Sequence, residues 1–243
     1  MATNASIICK FSDGTIGYLR NAITLDAATE VKTDASGLVN QAGSLSVGQA
    51  FQNKTMTHAS VKIQTDTATS GAFGYASIVG VGGNIIGVIQ GSGSSGAGLP
   101  KLKRPVRMTT GVKINVFAQT IGDAVQYASL AVYYASGRAD VFQGLAVDAT
   151  DVSMTSVVSG LTLGEAAQGE RCVCYYATYP ATNGLADTGV ADGVNALFAE
   201  DSSGQLKAMM YTAKGNMDGE VVEFVEDSFM IAQNDTLTCR ANV

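Results

Sequence analysis

Residues 113–147 read KINVFAQTIGDAVQYASLAVYYASGRADVFQGLAV, and the succession of residue types along this stretch decides the fold class. In its first run Ile114, Val116 and Ala118 alternate with Lys113, Asn115 and Gln119, the period-two pattern of a half-buried strand. The second run, Tyr127 to Ala135, is apolar on both faces, which predicts an interior strand. The third, Ala139 to Val147, follows a turn built on Gly137. With breaks at Gly122-Asp123 and at Ser136-Gly137-Arg138, the three runs predict an antiparallel meander packed on a second layer.

The same reading extends in both directions. Upstream, SIICKF and GTIGYLR predict two strands around the turn Ser12-Asp13-Gly14, and residues 27–43 read mostly as loop. Ser44 to Gln52 and Met56 to Thr67 read as strands, the latter alternating Val61, Ile63 and Thr65 with Lys62, Gln64 and Asp66. Residues 71–90 predict a hairpin turning at Gly82-Gly83-Asn84, followed by the flexible loop GSGSSGAG at 91–98. Downstream, Ser153 to Leu163 and Arg171 to Tyr179 read as strands, and 180–194 as a glycine-dotted loop. A hairpin at 196–212 turns at Ser202-Ser203-Gly204, and Glu220 to Ala232 and Thr236 to Ala241 close the chain. No repeat period is evident. Roughly ten to twelve strands with almost no helical periodicity predict an all-β fold, an antiparallel β-sandwich, jelly-roll-like, with little helix. All-β domains of this length are ordinary, so a single domain over 1–243 is expected.

Hydrophobic residues make up 46% of the chain and charged residues 15%, against a usual charged share of about 25%. A chain so poor in charge must bury much of its surface or place it against neighbours. The net charge of −6 argues against a nucleic-acid-binding body, and no direct nucleic-acid contact is expected. The local exception is Lys101, Lys103, Arg104 and Arg107, read as a solvated loop entering a strand or as a contact with phosphate or an acidic neighbour. The start MATNASIICKFSDG lacks a basic segment followed by an apolar one, so no signal peptide and cytoplasmic synthesis are expected. The longest apolar stretch, Ile78 to Ile89, holds four glycines and is too short for a membrane helix.

Cys172 and Cys174, two apart on a strand, should share one face, which suits neither a mutual disulfide nor a Cys-x-x-Cys zinc knuckle; with Cys9 and Cys239 they are expected buried and reduced. Gly91, Gly93 and Gly96 match GxGxxG, but Pro100 and a basic run follow in place of the helix that a dinucleotide site needs, so no cofactor is expected. His58 is the sole histidine, which excludes histidine-built metal sites within one chain and reads as structural. Asp148 with Asp151, and Asp187 with Asp192, are carboxylate pairs of the kind hard cations such as calcium favour, without EF-hand spacing. Leu185-Ala186-Asp187-Thr188-Gly189 resembles the active-site signature of retroviral-type aspartic proteases. That family braces its catalytic loop with a downstream apolar-apolar-Gly element; here Ile85-Ile86-Gly87 lies upstream, so no protease is expected.

An all-β chain with few charges, abundant Gly, Ala, Ser and Thr and no catalytic constellation resembles viral structural proteins, in particular single jelly-roll capsid subunits and the β-sandwich decoration or tail proteins of phages. The resemblance implies a virion subunit without enzymatic activity that assembles with copies of itself and other virion proteins. Loops such as 91–104 and 180–195 would then meet neighbours or solvent. The alternative is a carbohydrate-binding or adhesive module, against which stands the absence of tryptophan.

Overall fold

The computed structural model describes residues 2–24, 32–34, 39–40, 45–65, 72–89, 99–120, 126–146, 151–179, 195–212 and 228–241. The fold is all-β, as expected. The chain divides into two compact units, 1–122 and 123–243, where length had suggested one domain. The division falls at Gly122-Asp123, inside the stretch read as a meander. The strand before it, Lys113–Thr120, pairs with Ala72–Val79 and Lys32–Asp34 of the first unit. The strand after it, Gln126–Tyr134, pairs with Ala139–Ala146 and Arg171–Tyr179 of the second. The expected meander is therefore one strand of the first unit followed by a hairpin of the second. Alternation identifies strands; it does not name their partners.

The first unit contains β1 (Ala2–Phe11), β2 (Ile16–Thr24), β3 (Lys32–Asp34), β4 (Val39–Asn40), α1 (Val47–Ala50), β5 (Thr55–Thr65), β6 (Ala72–Val79), β7 (Ile85–Ile89), β8 (Lys101–Arg107) and β9 (Lys113–Thr120). One sheet runs β4-β2-β1-β5-β8, the other β7-β6-β9-β3, with every pair antiparallel. On β1 the side chains of Ala5, Ile7 and Cys9 are buried while Ile8 and Lys10 are exposed. The inner positions of both sheets meet in one core, with Ile7, Leu19, Met56 and Val61 from the first and Ile78, Ile89, Ile114 and Val116 from the second.

The pairs β6·β7, β5·β8, β3·β9 and β2·β1 are those of a long hairpin wound into a sandwich, the jelly-roll arrangement. Here the strand that would come eighth comes first in the sequence.

The second unit contains β10 (Gln126–Tyr134), β11 (Ala139–Ala146), β12 (Asp151–Ser156), α2 (Leu163–Ala167), β13 (Arg171–Tyr179), β14 (Asn195–Glu200), β15 (Leu206–Thr212), β16 (Phe229–Met230) and β17 (Thr236–Ala241). It repeats the same winding, with pairs β14·β15, β13·β16, β12·β17 and β11·β10. β12 pairs with β17 at its start and with β11 at its end, so one strand does what β3 and β4 do separately in the first unit.

The agreement between units extends to individual bonds. The opening hairpins share register, Ile7 opposite Leu19 and Leu130 opposite Phe142, and each turns on a left-handed glycine, Gly14 or Gly137. The Phe11 amide donates to the Thr15 carbonyl at 2.9 Å, and the Tyr134 amide to that of Arg138 at 3.0 Å. The helical turns read LSVGQAFQNK (45–54) and LTLGEAAQGE (161–170). In each, the backbone amide before the helix, Ser46 or Thr162, donates to the side chain three residues on, Gln49 or Glu165, at 3.0 Å. Each segment then passes through a left-handed residue, Asn53 or Gly169, whose amide donates to Met108 or Ile231. Even the bulges coincide: register slips between Ile78 and Val79 on β6, and between Ala199 and Glu200 on β14.

Three local readings are corrected. Ser44 to Gln52 is not a strand: the capped turn at Ser46 makes α1. Ser153 to Leu163 is a strand only as far as Ser156, where the Gly160 amide bonds back to the Ser156 carbonyl and α2 follows. Residues 27–43, read mostly as loop, contribute β3 and β4. Of the strand expected over 220–232, residues 220–227 lie outside the described residues and Phe229–Met230 form β16.

Candidate interaction surface

Because β-strand side chains alternate, the outward residues of the first unit's β1, β2, β5 and β8 share one face. Register sets them in three rungs. Arg20, Ser6 and Lys62 form the first, Tyr18, Ile8 and Ser60 the second, and Ile16, Lys10, His58 and Lys101 the third. Neighbours within a rung stand about 4.8 Å apart, and rungs about 6.7 Å apart. Lys10, Arg20, Lys62, Lys101, Lys103 and Arg107 are all exposed, and these four strands contain no Asp or Glu. Between the cations lie three exposed apolar side chains, Ile8 (45% exposed), Ile16 (65%) and Tyr18 (39%). The His58 ring nitrogen Nδ1 lies 2.9 Å from the Thr57 hydroxyl, which also lies 3.2 Å from the Lys10 carbonyl oxygen.

The basic cluster expected at 101–107 is thus strand β8 itself, with Leu102 and Val106 buried and Lys101, Lys103 and Arg107 outward; Arg104 is half-buried. The sequence alone reads these four as a solvated loop entering a strand or as a contact with phosphate or an acidic neighbour. It missed Lys10, Arg20 and Lys62, which a strand register places on the same face. Net charge hid them as well. Residues 1–122 hold ten Lys and Arg against five Asp and Glu, and residues 123–243 hold five against sixteen. The chain's −6 is therefore +5 with −11.

The equivalent face of the second unit is of another kind. Where the first unit has Lys10, Arg20 and Arg107, the second has Tyr133, Gln143 and Met230; where it has Ile8, Ile16 and Tyr18, the second has Ala131, Ala139 and Val141, all three buried. Its β10, β11, β13 and β16 carry one Arg and one Asp between them.

Polar groups are also buried in the second unit. Lys207 Nζ donates to Asp235 Oδ2 at 2.6 Å, with the Asp235 side chain 1% exposed, and the Ala232 amide donates to the same oxygen at 2.8 Å. Burial pushes the Asp140 carboxyl above its ordinary range, although the Ser156 hydroxyl and Val141 amide donate to it at 2.9 and 2.8 Å. All four cysteines are buried and outside any disulfide, and burial raises the Cys9 thiol to about 12. Cys172 and Cys174 do not share a face. A bulge lets Tyr134 face Cys172 and Tyr133 face Cys174, so Cys172 enters the core and Cys174 turns outward, as Met56 and His58 do across the matching bulge.

Of the calcium candidates, Asp148, Asp187 and Asp192 lie outside the described residues, as do 185–189 and the glycine loop 91–98; Asp151 opens β12 opposite Arg240. Among the described residues no three His, Cys, Asp or Glu side chains gather closely enough to hold a metal ion, and no helix is long and apolar enough to cross a membrane. Compared with known proteins, the chain matches no family, no curated protein and no solved structure.

Proposed function

We propose that this chain is a virion structural protein, a capsid subunit that assembles with copies of itself and other virion proteins and has no enzymatic activity of its own. The observation that carries this reading is the tandem of two jelly-roll-like sandwiches built to one plan within one chain. Such sandwiches recur in shells because two twisted sheets make a rigid block with several flat sides. Fold is associational support for function. The low charge content agrees with it, since the centres of extensive interfaces are depleted in charge.

Native mass by light scattering, with negative-stain imaging, tests the proposal. Discrete large particles of ring or shell geometry are expected. A 25.0 kDa species that stays monomeric at high concentration overturns it.

A further inference from the structure

The cationic face of the first unit exceeds what the fold requires, and the second unit serves as the internal control. The same winding, register and bulges are achieved there with Tyr133, Gln143 and Met230 in place of Lys10, Arg20 and Arg107. Five exposed cations, Lys10, Arg20, Lys62, Lys101 and Arg107, stand on four strands that contain no Asp or Glu, and like charges on one face carry a cost that an anionic ligand would reduce. Their register forms a grid whose middle rung begins with the exposed Tyr18 on β2, beside Ile8 on β1 and Ile16 on its own strand. Polyanion binding by counterion release needs distributed cations of this kind, and base stacking needs an exposed aromatic face among them.

We propose that the outer face of β2, β1, β5 and β8 binds single-stranded nucleic acid, with Lys10, Arg20, Lys62, Lys101 and Arg107 taking phosphates and Tyr18 stacking on a base. This reverses the expectation drawn from net charge, which averages a basic unit with an acidic one. The proposal does not rest on the virion reading, because binding by the isolated chain needs no particle.

The test is fluorescence anisotropy of a labelled oligothymidylate of about 20 nucleotides against the full chain over a salt series. Single strands lose affinity with a log–log slope of about 0.7 per neutralised phosphate, so engagement of these five cations gives a slope of about −3.5. K10Q/K62Q is expected to reduce the slope by about 1.4 and to weaken binding about 25-fold at ~0.1 M salt. The control K113Q/R171Q removes the same charge from exposed positions elsewhere and is expected to leave the slope unchanged. Y18A should weaken binding about fivefold or more, with Y18F close to wild type. Far-ultraviolet circular dichroism confirms that each variant is folded.

Failure of the wild-type chain to bind at low salt overturns the proposal, as does a control that weakens binding as much as K10Q/K62Q. Binding of polyphosphate as tight as that of the oligonucleotide, unaffected by Y18A, overturns the nucleic-acid assignment. So does self-association that depends on Lys10 and Lys62 without oligonucleotide binding, which would give the face to the acidic half of a second copy.

Discussion

Gly48 is the second residue of α1, and replacing it with alanine sets two effects of opposite sign against each other. Intrinsic helix propensity favours Gly48→Ala by about 1 kcal/mol. Packing opposes it. An added Cβ would fall on the Thr109 carbonyl oxygen and 2.7 Å from the Val112 carbonyl oxygen. Both are main-chain atoms of the turn between β8 and β9, closed by the Val112 amide donating to Thr109 at 2.9 Å, so no side chain can swing aside. α1 would have to retreat, and the bond from the Gly48 amide to Val112 (3.2 Å) would lengthen first. The neighbouring bonds from Asn53 to Met108 and from Met108 to Lys54 would follow. Overpacking of this sort costs about 1–3 kcal/mol, and each weakened backbone bond about 1. With the Gly48–Val112 bond weakened and the propensity gain subtracted, a net loss of about 1–3 kcal/mol is expected. Gly164→Ala should behave alike, because its Cβ would meet the carbonyl oxygens of Gln233 and Ala232. Urea unfolding followed by circular dichroism measures both. A midpoint equal to or above wild type for either variant would mean that propensity wins and that the close approach at the helix is not a real constraint.

Two further predictions concern buried charge in the second unit. Asp235→Ala leaves the Lys207 ammonium and the Ala232 amide without their shared acceptor and should cost about 3 kcal/mol, whereas Lys207→Ile with Asp235→Val, copying Ile86 and Val112 of the first unit, should be within about 1 kcal/mol of wild type. A double variant no better than the single one in urea melts would show that the pair is not interchangeable with an apolar one. For Asp140 the folded-state pKa is raised, so the folded protein holds the proton more tightly than the unfolded chain. Stability then falls as pH rises from about 4, the unfolded value, through the folded value. Asp140→Asn keeps an oxygen for Ser156 and Val141 and should remove that slope, being more stable than wild type above the window; an unchanged profile of urea midpoint against pH contradicts this.

Most strands were legible because a half-buried sheet imposes alternation on its own sequence. Ala5, Ile7 and Cys9 against Ile8 and Lys10 show it plainly, and left-handed glycines at 14, 83, 137 and 204 mark four hairpin turns. The duplication was not legible because it has no constant period. Equivalent residues lie 123 positions apart in the opening hairpins (Gly14 and Gly137), 116 in the helical turns (Gly48 and Gly164) and 121 in the later hairpins (Gly83 and Gly204). Few identities survive that drift, chiefly Leu45, Gly48, Ala50 and Gln52 against Leu161, Gly164, Ala166 and Gln168. The short helices were misread for a related reason. One capped turn carries too few residues to show a 3.6 period, so only the Ser-x-x-Gln and Thr-x-x-Glu spacing signals it. The cationic face required pairing partners, which are non-local. Nothing in the neighbourhood of Lys10 says that it lies one strand from His58 and two from Lys101.

Two copies of one fold in a single chain separate what the backbone demands from what the surface is free to vary. Where main chain approaches main chain, the copies agree: Gly48 and Gly164 under a carbonyl, Asn53 and Gly169 at positive φ. Where a position is packed but not pinned, they trade shapes, as Phe11 with Tyr134 or the Lys207–Asp235 ion pair with Ile86 and Val112. On the outer face of β2, β1, β5 and β8 they agree in almost nothing. One copy is cationic with exposed isoleucines and a tyrosine; at the described positions the other has Tyr133, Gln143 and Met230 with Ala131, Ala139 and Val141 buried. A difference that large at positions carrying no backbone constraint cannot come from folding, because the fold is satisfied both ways. For the first unit, exposed cations on four strands that themselves hold no carboxylate suit the anionic ligand proposed above.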